Sequence, residues 1–188
     1  MDDWRDAIRK DENALQQLME AIPGFDGYRE REIRRTADKI LREHLVSQLD
    51  VVRDRLNEVI AAWARAGRLQ DLDDIDRVAR KLAKVRDNIR FADYGYTGFF
   101  DAIKIGEEQL DRLYAYDLSL SQGIADCAKA VQTLSTAPAE QAAQQIGAAE
   151  AAVASLQTLV DRRAEVTAAA AAAGEETHPP QTGSRTEG

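Results

Sequence analysis

The sequence predicts an all-α protein, an up-and-down antiparallel helical bundle of about five helices with one long spine helix. Three observations predict it. Apolar residues recur at intervals of three and four along most of the chain, the period of a helix that buries one face. Glycine and proline gather at a few points and divide the chain into long segments. No segment shows the strict alternation of a half-buried strand. The expected division is a bundle domain over residues 1–172 and a disordered C-terminal tail over 173–188. That tail is Gly, Glu, Thr, Pro and Ser with almost nothing apolar.

The first helix is predicted over residues 2–22, with Trp4, Ile8, Leu15, Leu18 and Ile22 on one stripe. Pro23 and Gly24 end it, because proline cannot continue the hydrogen-bond ladder and glycine accepts a left-handed cap. The second helix is predicted from Tyr28 to Ala66, nearly 60 Å at roughly 1.5 Å per residue. Its seam of Leu45, Leu49, Val52, Leu56, Val59 and Trp63 alternates steps of four and three, like a coiled coil. Ile33, Ala37, Ile40 and Leu41 extend that face backwards, and Gly67 stops the helix. The third helix spans about 69–92, with a seam of Leu72, Ile75, Ala79, Leu82, Val85 and Ile89. Asp71, Asp73, Asp74 and Asp76 crowd its start and Lys81, Lys84, Arg86 and Arg90 its end, the order the helix dipole favours. The fourth runs from near Gly106 to Ser135 through Leu110, Leu113, Leu120, Ile124, Cys127, Val131 and Leu134. Pro138 opens the fifth, which carries Ala142, Ile146, Ala149, Val153, Leu156 and Val160 to about residue 170.

Size and charge narrow the function classes. A chain of 188 residues buries a sizeable core without disulfides or metals. The single cysteine, Cys127, excludes an internal disulfide and a multi-cysteine zinc site. No apolar run approaches the ~20 residues of a membrane span. The acidic start, Met1-Asp2-Asp3-Trp4-Arg5-Asp6, lacks the apolar core of a signal peptide, so a cytoplasmic location is expected. The net charge of −8 is uneven: residues 1–92 carry 19 basic and 19 acidic side chains, and residues 93–188 carry 6 and 14. An acidic C-terminal half argues against nucleic-acid binding. One basic stretch runs from Arg29 to Arg42; it is either a solvated helix face or a patch for an acidic partner or anionic lipid.

The most distinctive segment is Asp93-Tyr94-Gly95-Tyr96-Thr97-Gly98-Phe99-Phe100-Asp101, which holds four of the chain's 11 aromatic residues. A smaller echo, Pro23-Gly24-Phe25-Asp26-Gly27-Tyr28, precedes the spine helix. With helices alternating in direction, both loops fall at one end of the bundle, together with the basic start of the second helix. Tyr94, Tyr96, Phe99, Phe100 and Ile103 are either a plug over the bundle end or a docking surface. The expected partner-binding set is Phe25, Tyr28, Arg31, Arg34, Arg35, Tyr94, Tyr96, Phe99 and Phe100.

Signals for catalysis are thin, and no catalytic residue, metal or cofactor is expected. Asp117 falls in the core register of the fourth helix. Its possible partners are Tyr114, Tyr116 and an arginine from another helix; it is a seam-edge residue in a salt bridge with Leu118 turned inward, a member of a buried polar network anchoring the top loop, or a catalytic carboxylate with a raised pKa. His44 and His178 show no metal-ligand spacing, and Cys127 reads as a core thiol. The Gly-Tyr-Thr-Gly piece mimics a phosphate loop only loosely, since the nearest lysine, Lys104, lies six residues beyond Gly98.

The order Ile22-Pro23-Gly24-Phe25-Asp26-Gly27-Tyr28-Arg29-Glu30, Tyr94 to Asp101, and Leu110-Asp111-Arg112-Leu113-Tyr114-Ala115-Tyr116-Asp117 resembles an uncharacterised family of bacterial all-helical proteins. The resemblance covers about residues 22–135, is most specific around Tyr94 to Asp101, and implies no activity or cofactor. The expected function is therefore a non-enzymatic interaction or scaffold protein that docks a protein partner through the aromatic-glycine end. Self-association is a variant, peripheral membrane binding the first alternative, and an enzyme using Asp117 and nearby tyrosines the second.

Overall fold

The computed structural model describes residues 14–92 and 105–175. Trp4, Ile8, Tyr94, Tyr96, Phe99, Phe100, Ile103, Lys104 and the tail from 176 lie outside the described residues. The chain is all-helical, with no strand among the described residues. The described part of α1 covers 14–21. It is followed by α2 (Arg34–Arg65), α3 (Leu72–Arg90), α4 (Glu107–Thr136) and α5 (Ala142–Glu175). Short 3-10 turns at Arg31–Ile33, Leu69–Asp71 and Ala139–Gln141 lead into α2, α3 and α5.

The heptad-like seams form the core. Leu41, Leu45, Leu49, Val52, Leu56, Val59 and Trp63 of α2 are buried, as are Leu110, Leu113, Leu120, Ile124, Cys127, Val131 and Leu134 of α4. Each fully buried leucine or valine contributes about 1.5–3 kcal/mol relative to exposure. In α3 the buried position is Val78 rather than the expected Ala79, which packs at the edge with Leu72. The larger side chain takes the central place.

The α2–α3 turn closes on Gly67 at φ +74°, with Arg68 N–H donating to the Trp63 carbonyl at 3.0 Å and Gly67 N–H to Ala64 at 3.1 Å. This is a left-handed glycine cap that satisfies the last carbonyls of α2. Arg68 then stacks over the Trp63 ring at 3.6 Å and donates to the Ala137 carbonyl at 3.3 Å, tying this turn to the start of the α4–α5 turn.

Successive helices alternate in direction, and α2 packs on α3 and α4, while α5 packs on the same two. Around the bundle the order is therefore α2, α3, α5, α4. Asp50–Arg86 pairs α2 with α3 in antiparallel register, and Asn88–Gln157 and Lys81–Glu150 pair α3 with α5 in parallel register. Consecutive α3 and α4 thus stand across the diagonal instead of side by side. The short-connection rule fails here because the linking stretch, 93–104, is long enough to cross the end of the bundle: twelve residues reach up to roughly 40 Å, well beyond one helix spacing.

Between α4 and α5 the approach is close. A Cβ at Gly123 would lie 3.1 Å from Leu156 Cδ1 and 3.3 Å from Leu159 Cδ1. A Cβ at Gly147, on the outer face of α5, would meet nothing within 4 Å. Gly123→Val is expected to lower stability by about 1–3 kcal/mol. Gly147→Ala is expected to raise it by roughly 0.5–1 kcal/mol by relieving the helix-interior glycine cost. Urea denaturation of the two variants checks both signs.

Candidate functional site

The chain from Ile22 to Glu30 makes an elbow over the end of the bundle where α2 and α4 begin and α3 ends. Gly24 (φ +80°) and Gly27 (φ +88°) supply backbone conformations that other residues rarely adopt. At Gly27 there is also no room for a side chain, since a Cβ would sit 2.8 Å from the Tyr114 hydroxyl. These turns swing the elbow aromatics inward. Phe25 and Tyr28 are 2% and 0% exposed. The Tyr28 ring stacks on Tyr114 at 5.6 Å between centroids and meets Phe25 edge-on at 5.3 Å.

Every polar atom of Tyr28 is engaged. Its N–H donates to the Tyr114 hydroxyl at 2.8 Å and its carbonyl accepts from Arg34 Nε at 2.9 Å. Its own hydroxyl donates to Asp117 Oδ2 at 2.9 Å and accepts from Arg163 Nη2 at 3.2 Å. This explains why the spine helix begins at Arg34 and not at Tyr28. The Tyr28 backbone spends its hydrogen bonds on side chains, which holds the elbow out of the helical ladder.

Tyr28 is one corner of a buried cluster. Arg163 of α5 donates through Nε to Asp117 Oδ1 at 2.5 Å and through Nη2 to Asp38 Oδ1 at 3.0 Å. Arg42 Nε donates to Asp38 Oδ2 at 2.6 Å, and Arg42 Nη1 to the Arg90 carbonyl at the end of α3 at 2.9 Å. Both oxygens of each carboxylate accept hydrogen bonds, and two carboxylates face two guanidiniums. Asp38, Asp117 and Arg163 are all at most 3% exposed. Burial pushes the Asp117 carboxyl above the ordinary range, against the pull of the Arg163 guanidinium and the Tyr28 hydroxyl, which favour the charged form. The Tyr28 hydroxyl is driven well above its ordinary 10.0, by burial first and then by the Asp117 charge. The Tyr114 hydroxyl is raised as well, again chiefly by burial.

Several expected site residues change role here. Phe25, Tyr28 and Arg34 are inside the protein, Arg34 at 2% exposure, so they do not present themselves to a partner. Arg31 and Arg35 are exposed. Asp117 is not at the seam edge with Leu118 turned in: it is fully buried and Leu118 is only partly so. Tyr114 and Asp117 meet through Tyr28, whereas Tyr116 is half-buried outside the cluster. Asp38, Arg42 and Arg163 complete the cluster and were not singled out from the sequence. Their signal was present, since Arg34, Asp38, Leu41 and Leu45 continue the α2 seam and Arg163 follows Leu156 and Val160 in the α5 seam. His44 pairs with Gln48 one turn on at 3.0 Å, and Cys127 is buried with its thiol pushed up to about 12.

Beside the cluster, α2 and α3 flank an open groove of about 680 Å³ lined by Lys39, Arg42, Val46, Asp50, Arg86, Arg90 and Phe91, among others. Phe91, the first residue after α3, is 57% exposed. The Arg90 guanidinium lies 5.6 Å from its ring. Arg86 grips Asp50 with two hydrogen bonds, at 2.9 and 3.1 Å, across the groove floor. Arg42 belongs to both places, lining the groove while holding Asp38 below it.

No protein-family model, no curated protein and no solved structure matches the chain. The geometry of this end of the bundle therefore carries the functional argument.

Replacing Arg163 by Met leaves the buried Asp117 carboxylate without the guanidinium it pairs with and is expected to cost about 3–5 kcal/mol in urea denaturation. Alkaline pH tests the buried hydroxyls and thiol. All three have folded pKa values above their ordinary ones, 10.0 for the tyrosines and 9.0 for Cys127. The stability they contribute is full below those ordinary values and is lost as pH rises above them, because the unfolded chain releases the protons first. Wild-type stability is expected to fall from pH 9 upwards, with Cys127→Ala flattening the first part of the limb and Tyr28→Phe the part above pH 10.

Proposed function

We propose that the protein is a non-enzymatic interaction or scaffold protein that docks a protein partner through the end of the bundle carrying the aromatic-glycine segments. The observation that carries this reading is the exposed Phe91 at the mouth of the α2/α3 groove, directly before the Tyr94–Phe100 segment in sequence. Large aromatics beside arginine are the side chains that supply most binding energy at protein interfaces. A half-exposed phenylalanine in a charged surroundings has no core to serve. Arg31, Arg35 and Arg90 lie at the same end and suit orientation of the encounter more than raw affinity.

The internal saturation of the Asp117 cluster supports the same reading over an enzyme. Its carboxylate oxygens are occupied by Arg163 and Tyr28 and shut off from solvent, so a substrate has no approach to them. The cluster acts as a clamp that holds the elbow in place beneath the docking surface. Membrane-surface binding, the first alternative, draws on the same exposed Phe91 and cations, and the overall charge of −8 counts against it.

Affinity capture from native lysate tests the proposal, with wild type compared against Phe91→Ser and Arg31→Glu. Both variants are expected to melt like wild type and to lose the same specific protein, identified by mass spectrometry. Retention of every captured protein by both folded variants overturns the reading.

A further inference from the structure

We infer that the Tyr28 elbow and the C-terminal turn of α3 are the two ends of one conformational relay, in which the Tyr28 hydroxyl holds Arg163 divided between Asp117 and Asp38 and so keeps Arg42 on the Arg90 carbonyl. The inference goes beyond the docking reading and needs no partner to hold.

The end of α3 lacks the glycine cap that closes α2. At Gly67 a left-handed backbone lets the last carbonyls of α2 find local donors. α3 runs out through Phe91 at φ −103° and ψ 11°, and neither Phe91 nor Ala92 has a positive φ. The Arg90 carbonyl takes its hydrogen bond from another helix instead, from Arg42 Nη1 at 2.9 Å. That guanidinium stands at the negative end of the α3 dipole, where a cation is favourable. Arg42 does not turn as a surface arginine does. Its side chain is 11% exposed, and its Nε is held by the buried Asp38 at 2.6 Å. The cap on α3 therefore depends on where Asp38 points.

The grip of Arg163 is the part that changes. Its Nε bonds Asp117 Oδ1, while its Nη2 serves Asp38 Oδ1 and the Tyr28 hydroxyl. One guanidinium bond suffices for Asp117 because the Tyr28 hydroxyl fills Oδ2. A guanidinium and a carboxylate otherwise prefer two parallel bonds. Arg86 makes that fork with Asp50, through the same Nε and Nη2 atoms. Withdrawing the Tyr28 hydroxyl leaves Oδ2 without a donor in a site closed to water, which is costly. Arg163 Nη2 then completes the fork on Asp117 and leaves Asp38. Asp38 keeps Arg42 alone and draws it inward, off the Arg90 carbonyl. The last turn of α3 opens, and Phe91 moves with it. Arg163 thus has two arrangements, divided and paired, and the elbow selects between them.

Amide hydrogen exchange, followed residue by residue by NMR, tests the relay. The Arg90 and Phe91 amides report local opening of the last turn of α3, and the Leu82 amide in mid-helix reports global opening. Tyr28→Phe removes the hydroxyl and keeps the ring. It is expected to speed exchange at Arg90 and Phe91 roughly fivefold or more, and Arg42→Ala roughly tenfold or more. Adding Tyr28→Phe to Arg42→Ala is expected to speed these two amides no further, because the relay is already cut. Coupling is reciprocal, so Arg42→Ala is also expected to speed the Tyr28 amide, which donates to the Tyr114 hydroxyl. Gly123→Val, which destabilises the bundle away from the relay, is expected to speed Leu82 and leave Arg90 and Phe91 unchanged. Unchanged exchange at Arg90 and Phe91 in Tyr28→Phe, additive effects in the double variant, or an equal rise in Gly123→Val each overturns the relay. Should Tyr28→Phe not fold, the Tyr28 amide in Arg42→Ala decides alone, and an unchanged rate there overturns it. None of these readouts involves a partner, so the relay and the docking function stand or fall separately.

Discussion

The upper half of this bundle depends on one guanidinium. Arg163 bonds both Asp38 and Asp117, and without it the buried Asp117 would lose its guanidinium and Asp38 would keep only Arg42. Removing charges from water costs several kcal/mol each, and only well-placed opposite charge with full hydrogen bonding offsets it. The cluster meets that demand through Arg163, Arg42 and the Tyr28 hydroxyl. In doing so it joins α2, α4, α5 and the elbow, and Arg42 adds the end of α3 through the Arg90 carbonyl. A hydrophobic seam alone tolerates sliding by a heptad step. A buried ion cluster does not, because each alternative register leaves charges unpaired. The lower end is held differently, by Arg68 stacked on Trp63, paired with Asp71 and bonded to the opposite turn.

The same cluster sorts the aromatics at the upper end. Tyr28 is drawn inside by four hydrogen bonds and brings Phe25 with it, which the two left-handed glycines make possible. Phe91 has no such anchor. It follows the last turn of α3 and is 57% exposed. Inward and outward aromatics thus differ by their polar handles and backbone freedom, since a tyrosine hydroxyl completes a buried network and a phenylalanine cannot. Arg42 spans the boundary between the clamp and the groove, so the shape of the groove wall is set by the buried charges below it.

Although α2 begins at Arg34, six residues after the expected Tyr28, the fold class, most helix ends among the described residues and most of the described core were legible in the sequence. The reason is that steps of three and four place Leu45 to Trp63, or Leu110 to Leu134, on one face whatever the neighbours do. Glycine and proline punctuation marked the turns for equally local reasons. The core-register position of Asp117 was legible too, with an arginine from another helix among its possible partners. Which arginine it was, and whether the carboxylate lay inside or at the edge, depended on which helices became neighbours. That followed from the diagonal placement of α3 and α4, which the length of the 93–104 connection permits and no periodicity specifies. Local pattern fixes each helix and the face it buries, because those are properties of successive residues. The inward turn of Tyr28, the pairing of Asp117 with Arg163 and the exposure of Phe91 are long-range outcomes: they join residues up to 135 positions apart and exist only once four helices have met.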